Sequence, residues 1–173
     1  LRFVQVDALD GYVPMKTFGW NAIELLVQDP DDLAAKFAKP GSPFKIVGPP
    51  RALGPNSPIR AMQVIGPGNE TLYLSRVPPD FRGGAAKTPV DRPFILIVGG
   101  PQQQAIRDFY KKVLSIDSSD PVMARMTVLN KAHGLDVETT HPLSIARLSP
   151  KYAIEIDGYP PTAIEREVRP GEI

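Results

Sequence analysis

The feature that most constrains the fold is an order of strands and helices that occurs twice along the chain. Between residues 21 and 77 the pattern of apolar residues predicts strand, helix, strand, strand and strand. Between residues 94 and 157 the same order is predicted again. The two units share little residue identity, so the repeat is one of architecture. The order predicts two similar modules within one chain.

The first unit has clear signals at its helix. A strand at residues 21–27 leads into the sequence Asp-Pro-Asp-Asp at residues 29–32. Asp29 is suited to cap a helix and Pro30 to occupy its first position, while the next two aspartates favour the positive end of the helix dipole. Residues 40–41, Pro-Gly, end the helix. Three strands are then predicted at residues 44–47, 59–65 and 71–77, the last two joined by a turn at residues 66–69.

The second unit follows a stretch rich in proline, glycine and charge. Residues 94–98 are predicted to form its first strand. A helix then runs through Leu114, and its apolar face is formed by Ile106, Phe109, Tyr110 and Val113. Further strands are predicted at residues 123–129, 143–148 and 152–157, with a short separate strand at residues 1–6 before the first unit.

Composition excludes several classes of function. The 20 basic and 19 acidic side chains give a net charge of +1, so neither nucleic acid nor a membrane is expected as a partner. No apolar run approaches the roughly 18–20 residues that span a bilayer. The absence of cysteine excludes disulfides, thiolate nucleophiles and thiolate metal sites, and it fits a cytoplasmic protein. Two histidines cannot form a three-histidine metal site within one chain.

Four short segments carry a family resemblance. Residues 22–33 look like a first strand and helix start, and residues 66–74 like a turn into a fourth strand. Residues 106–110, Ile-Arg-Asp-Phe-Tyr, resemble a helix that ends in Phe-Tyr, and residues 152–156, Tyr-Ala-Ile-Glu-Ile, resemble a fourth strand with an acidic ligand. Together they resemble the vicinal oxygen chelate superfamily, which includes glyoxalases, bleomycin-resistance proteins and dioxygenases. The resemblance covers roughly residues 20–160.

The resemblance implies an α+β fold in which tandem βαβββ modules form curved mixed sheets around a cleft. The modules are expected at residues 20–78 and 92–160, with a linker at residues 79–91 and a C-terminal tail at residues 161–173. Residues 1–19 would be a terminal strand and connector, the remnant of a preceding module. The chain would then be a piece of a longer protein or would have lost its beginning.

Metal enzymes of the superfamily take ligands from the first and fourth strands, typically histidine and glutamate. Carried onto this chain, the four positions are Ala22 and Tyr73 in the first module and Pro93 and Glu155 in the second. Only Glu155 has a good metal-binding group, whereas a catalytic divalent site needs about three protein ligands. The cofactor therefore stays unknown. A divalent metal bound by Glu155 is one candidate, but these positions do not support a complete site.

Three residues are candidates for catalysis. Glu155 alternates with Ile154 and Ile156, so its side chain points away from theirs and into the cup if the isoleucines face the core. Glu24 also alternates with apolar neighbours, and a desolvated acid suits proton transfer. His141 precedes a predicted strand and is a candidate partner for Glu155. The alternatives are structural: each acid pairs with a basic neighbour, and the histidine bonds to the backbone. His133, in a predicted turn, is a weaker candidate of the same kind.

Three residues on predicted strands are candidates for binding a carbonyl or carboxylate of a ligand: Tyr73, Arg60 and Gln63. Arg60 and Gln63 have opposite strand parity, so both can face the cup only across a bulge. Tyr73 occupies a metal-ligand position of the resemblance, which makes it the preferred candidate.

The function expected from the resemblance is to act on, or to bind, a small oxygenated organic molecule in the cleft. As an enzyme, the chain would be a lyase, isomerase or dioxygenase. The alternatives are a binding protein without turnover, like the bleomycin-resistance branch, and a structural, dimerising half of a larger enzyme. Modules of this type pair within a chain or across a homodimer, and strand patterns do not distinguish the two.

Overall fold

The structure is a computed structural model, and it describes residues 11–81 and 83–166. The predicted strand at residues 1–6 lies outside these residues. The first module contains β1 (Gly19–Val27), α1 (Pro30–Phe37), β2 (Lys45–Ala52), β3 (Arg60–Ile65) and β4 (Thr71–Arg76). The second contains β5 (Val90–Gly100), α2 (Gln103–Leu114), β6 (Val122–Arg125), α3 (Thr127–His133), β7 (Thr140–Arg147) and β8 (Ala153–Gly158).

All eight strands belong to one curved mixed sheet, in the order β2-β3-β4-β1-β5-β8-β7-β6. The first strands of the two modules, β1 and β5, run antiparallel at its centre. Each of them also pairs in parallel with the last strand of its own module, β4 or β8. This arrangement confirms the predicted α+β fold of tandem βαβββ modules.

The start of α1 confirms the capping prediction. Asp29 Oδ1 accepts hydrogen bonds from the backbone nitrogens of Asp31, at 2.8 Å, and Asp32, at 3.2 Å. Pro30 occupies the start of the helix and is buried together with Leu33. Leu33 packs with Met62 and other residues on the convex face of the sheet, so α1 covers that face of the first module.

Helix α2 covers the convex face of the second module. Tyr110 packs there with Ile154 and Ile156. The helix presents a narrower apolar face than the sequence predicted, because the side chains of Phe109 and Val113 are 56% and 57% exposed. The Phe109 ring stands edge-on to the ring of Tyr110.

The predicted strand at residues 123–129 is wrong in its second half. Strand β6 ends at Arg125, and residues 127–133 form α3. The helix ends at Gly134, which has a φ of 66° and adopts the left-handed conformation favoured at helix C-termini. Val128 and Leu129 pack with Tyr159 in a buried cluster, and this tertiary contact overrides the local strand preference of the segment.

Helix α3 closes the curved sheet into a cup. It packs against β2, at the opposite edge of the sheet from β6. A Cβ on Gly48 of β2 would lie 2.8 Å from Val128 Cγ2, so the absence of a side chain at this position permits the close approach. The concave face is therefore enclosed between the strands and α3. Part of it is filled by an apolar cluster that includes Leu26, Phe94 and Ile97.

Candidate functional site

A cavity of about 330 Å³ lies between the concave face of the sheet and α3. This volume is at the lower end of the roughly 300–1,000 Å³ typical of small-molecule sites. Its polar lining comes mainly from the sheet, and its apolar lining includes residues of α3 and the sheet edges. The lining residues used below are Glu24, Arg51, Leu53, Gln63, Tyr73, Arg125, Leu129, Leu143, Glu155 and Asp157.

Three of the predicted site residues form a row across neighbouring strands of the first module. Gln63 of β3 pairs with Tyr73 of β4, and Tyr73 pairs with Glu24 of β1. Residues directly opposite each other on paired strands share a face of the sheet. Gln63, Tyr73 and Glu24 therefore all line the cavity.

The same register shows which residue of each module's first strand lies beside its fourth-strand candidate. Ala22 pairs with Thr71, so the first-strand residue beside Tyr73 is Glu24. In the second module the residue of β5 beside Glu155 is Ile97. Sequence spacing missed this register, because it cannot show how two strands slide against each other.

Strand β8 contributes two carboxyl groups to the cavity. Ile154 and Ile156 pack under α2 on the convex face, and this leaves Glu155 and Asp157 on the cavity side, as strand alternation predicts. Asp157 is 3% exposed, and among the described residues its Oδ1 has no hydrogen-bond partner. Asp157 was not among the residues singled out from sequence, although it has the same strand parity as Glu155.

The buried carboxyl groups influence one another. Burial raises the pKa of Asp157, and the negative charge of Glu24 raises it further, to about 7. Glu24 is also buried, and its Oε1 accepts a hydrogen bond of 2.5 Å from Ser75 Oγ. Near neutral pH, Asp157 is therefore able both to donate and to accept a proton.

Tyr73 presents a neutral phenol to the same cavity. Burial raises its pKa well above the usual value, and the neighbouring Tyr159, Asp157, Glu155 and Glu24 raise it further. The hydroxyl group is therefore a hydrogen-bond donor or acceptor at physiological pH.

Two arginines line another part of the cavity. Arg51 Nη2 donates a hydrogen bond to Thr127 Oγ1 at 3.0 Å. Arg125 Nη1 donates to both carboxylate oxygens of Glu138, at 2.9 and 2.7 Å. Arg125 thus has a counter-charge of its own, whereas Arg51 bonds here to a neutral hydroxyl. Sequence reasoning missed Arg51, because it follows Pro49-Pro50, beyond the end of the predicted strand.

His141 lies inside β7, and its side chain does not line the cavity. It is 6% exposed, and its Nε2 donates a 2.6 Å hydrogen bond to Asn130 Oδ1. The Nδ2 of Asn130 donates to the backbone carbonyls of Val137 and Thr139, at 3.2 and 2.8 Å. Burial lowers the pKa of His141. The structure therefore separates His141 from Glu155 and places it in a buried network that holds the end of α3.

His133 and Arg60 also lie away from the cavity. His133 ends α3; its Nε2 donates to the Met15 carbonyl at 3.0 Å, and its Nδ1 accepts from Thr162 Oγ1 at 2.8 Å. Burial lowers its pKa, which favours the neutral ring, and the Met15 carbonyl, which can only accept, places the proton on Nε2. Arg60 has the opposite parity to Gln63 and binds both carboxylate oxygens of Asp31, at 2.5 and 2.6 Å.

The donor set of the cavity does not fit the divalent metal that the fold implies. Within residues 11–81 and 83–166, no group of three histidine, cysteine, aspartate or glutamate side chains is placed to hold a metal ion. Of the four positions that the strand register defines, Ile97 has no ligand atom, and the neutral phenol of Tyr73 is a poor ligand.

Comparisons with solved structures place the fold. Glyoxalase I from Zea mays superposes with a TM-score of 0.53 and 12% identity, over 82% of this chain and 43% of that enzyme. Methylmalonyl-CoA epimerase from Mycobacterium tuberculosis superposes with a TM-score of 0.54 and 13% identity, over 87% of this chain and 95% of the epimerase. This chain therefore spans less than half the length of the maize enzyme. No protein-family model and no curated protein sequence matches it significantly.

These likenesses confirm a glyoxalase-like fold, and at such low identity they show the fold alone. No helix in the described part of the chain is long and apolar enough to cross a bilayer.

Proposed function

We propose that this chain is a member of the vicinal oxygen chelate superfamily that takes a small oxygenated organic molecule into the cavity and moves a proton on it with its own carboxyl groups. The reaction class is that of an isomerase or lyase. The observation that carries the proposal is Asp157, a buried carboxyl of the cavity whose pKa is raised to about 7 by burial and by the charge of Glu24.

The two carboxyl groups suit different roles. Glu24 carries the negative charge that raises the pKa of Asp157, and its hydrogen bond from Ser75 stabilises that charge. Glu24 would remove a proton from the carbon next to a carbonyl group, and protonated Asp157 would donate one to the carbonyl oxygen. Pairs of acids whose environments separate their protonation states are typical of acid–base sites. Tyr73 and Gln63 would orient the substrate oxygen, and Glu155 would line the floor beside them.

The proposal is tested by hydrogen isotope exchange. The protein is incubated in D2O at pD 7 with small ketones, 2-oxo acids and 2-hydroxy acids, and loss of the C–H signal is followed by proton NMR. We expect catalysed exchange for at least one carbonyl compound. We expect Glu24→Gln and Asp157→Asn each to slow it by about 100-fold or more, the usual contribution of a positioned acid or base.

The matched control is Asp120→Asn. Asp120 is fully exposed and does not line the cavity, so its substitution should leave exchange unchanged. Ligand-induced thermal stabilisation without exchange would overturn the proton transfer and support a binding protein without turnover. Exchange that persists in both cavity variants would place the chemistry elsewhere.

The expectations about assembly and location stay proposals. Three apolar side chains near the centre of the sheet, Trp20, Ile23 and Leu96, are 57%, 41% and 37% exposed, which is compatible with a homodimer. Sedimentation velocity of the purified chain and of Trp20→Glu tests this: a dimer that becomes a monomer in the variant supports it. A cytoplasmic location is proposed from the absence of cysteine.

A further inference from the structure

We infer that the substrate of this cavity is an oxo acid whose carboxylate binds to Arg51, several carbon atoms away from the carbonyl group that reacts at the carboxyl groups of the sheet. This inference rests on the proposed function, because it names the class of substrate for the same cavity. It also states which end of the molecule lies at which part of the lining.

The charged side chains that line the cavity are separated by sign across the sheet. Arg51 lies on β2 and Arg125 on β6, the two edge strands. Glu24 lies on β1, and Glu155 and Asp157 lie on β8, all inside the sheet. Complementary charges fix the orientation in which a ligand binds. A ligand with one anionic group should therefore place that group at the arginines and its neutral part at the carboxyl groups.

Arg51 is the better placed of the two arginines to bind an anion. Its Nη2 donates a hydrogen bond to the neutral hydroxyl of Thr127, at 3.0 Å. Within residues 11–81 and 83–166, no carboxylate is placed to form an ion pair with it. A guanidinium has five N–H donors in one plane, and two of them match the two oxygens of a carboxylate. The bond to Thr127 uses one donor and leaves the others for a ligand.

Arg125 already has a counter-charge. Its Nη1 donates to both carboxylate oxygens of Glu138, and the two side chains are 47% and 68% exposed. An exposed pair of this kind is neutral as a whole, so it neither repels a carboxylate nor attracts one strongly. The anionic end of the substrate is therefore assigned to Arg51.

The order of strands sets the length of the substrate. Strands β3 and β4 lie between Arg51 on β2 and Glu24 on β1. Three strand spacings correspond to roughly 14 Å along the curved sheet, and the two side chains shorten this gap because both line the cavity. A 2-oxo acid, whose carboxylate adjoins its carbonyl carbon, is too short to contact both residues. Leu129 and Leu143 also line the cavity and suit a hydrocarbon segment between the two groups.

An anionic end is compatible with the roles proposed for the two acids. A carboxylate brings no positive charge into the cavity, so the ligand does not lower the pKa of Asp157, and the protonated form that donates to the carbonyl oxygen is kept. Glu24 keeps its hydrogen bond from Ser75, because the end of the substrate that it meets is neutral.

The test of charge compares 5-oxohexanoate with 5-oxohexanamide, which has the same shape and no charge. Affinities are measured by isothermal titration calorimetry on the whole chain at pH 7. We expect the acid to bind about tenfold tighter or more, the effect of one hydrogen-bonded charged group. Added salt should weaken binding of the acid and leave binding of the amide unchanged.

The test of length compares 5-oxohexanoate with 2-oxohexanoate, in which the carbonyl group adjoins the carboxylate. Hydrogen isotope exchange is followed by proton NMR, and each rate is divided by the uncatalysed rate of the same compound. We expect kcat/KM on this scale to be about tenfold higher or more for 5-oxohexanoate, because the shorter separation loses the contact with Arg51.

Variants of Arg51 test where the carboxylate binds. Arg51→Gln should remove most of the preference for the acid over the amide, and Arg51→Lys, which keeps the charge, should retain part of it. Arg147→Gln is the matched control, because Arg147 is exposed at the end of β7 and does not line the cavity. This control should keep the full preference. Circular dichroism spectra establish that each variant is folded.

The outcomes distinguish this inference from the proposed function. If the amide binds as tightly as the acid, or if Arg51→Gln keeps the preference, the inference is overturned, while exchange on neutral ketones would still support the proposed function. Absence of binding by both probes overturns it as well. If the acid binds through Arg51 and no compound undergoes exchange, the proposed proton transfer falls and the anion site stands.

Discussion

Arg51 on β2 donates a hydrogen bond to Thr127 at the start of α3, with 3.0 Å between Nη2 and Oγ1. Arg51 lies on β2, the edge strand of the first module, and Thr127 follows β6, the edge strand at the other end of the sheet. Their hydrogen bond therefore helps to hold the cup closed over the cavity, in addition to the packing of Val128 against β2.

The first prediction concerns this closure. Thr127→Val keeps the shape of the side chain and removes the hydroxyl group. We expect a loss of about 0.5–1.5 kcal/mol in the free energy of unfolding, the usual net value of one hydrogen bond. We also expect faster amide hydrogen exchange in α3. A double-mutant cycle with Arg51→Gln measures the pair directly, and strictly additive effects of the two substitutions would contradict the coupling.

The second prediction concerns the contact between β2 and α3. The Cβ of Gly48→Ala would fall on Gln63 Oε1 and within 2.8 Å of Val128 Cγ2. Overpacking of this kind costs about 1–3 kcal/mol, so urea denaturation should show a loss of that size. Catalysed isotope exchange should slow as well, because Gln63 must move.

Gly54→Ala is the matched control for this substitution. A Cβ at Gly54 meets nothing within 4 Å, and it lies beyond the end of the same strand. Equal stability of the two alanine variants would show that α3 does not pack against β2 in solution as the structure has it.

The third prediction concerns pH. The pKa of Asp157 is raised from 3.8 to about 7 in the folded chain by burial and by Glu24, so the folded state holds this proton more tightly than the unfolded state. The contribution of Asp157 to stability is therefore full below the unfolded pKa and is lost as pH rises towards about 7. The slope is at most about 1.4 kcal/mol per pH unit.

Asp157→Asn removes this dependence. The stability of the variant relative to the parent chain should rise between pH 5 and pH 8, as measured by chemical denaturation at several pH values. Asp120→Asn, at a fully exposed position, is the control for the loss of one carboxyl group. A constant difference for Asp157→Asn would mean that its pKa is not raised.

The fourth prediction concerns the buried network at the end of α3. Asn130 is fully buried; it accepts a hydrogen bond from His141 and donates to the carbonyls of Val137 and Thr139. Asn130→Ala leaves three buried groups without partners, so we expect a loss of about 2–4 kcal/mol in the free energy of unfolding. Asn56→Ala, at an exposed position, should be close to neutral. A small loss at Asn130 would indicate that water replaces the amide.

The order of elements and the strand faces could be predicted from sequence, because both depend on local periodicity. Asp29 and Pro30 marked the start of α1, and alternation placed Glu155 opposite Ile154. The register between strands could not be predicted, and it decides that Glu24 rather than Ala22 lies beside Tyr73.

Helix α3, the second helix of the second module, also could not be predicted from the local sequence. Residues 127–129, Thr-Val-Leu, favour a strand by composition, and α3 forms because Val128 and Leu129 are buried against Tyr159 and its neighbours. The separation of His141 from Glu155 follows from the same cause, since Asn130 on α3 is its partner. Contacts between residues distant in sequence decided both.

The antiparallel pairing of β1 with β5 at the centre of the sheet means that the polar floor of the cavity is divided between the modules. Glu24, Gln63 and Tyr73 come from the first, and Glu155 and Asp157 from the second. A molecule bound there contacts both halves at once and stabilises them only while they are joined. Ligand binding to the cavity and the cooperative unfolding of the two modules are therefore thermodynamically linked. A bound ligand should raise the unfolding midpoint of both modules together, as one transition.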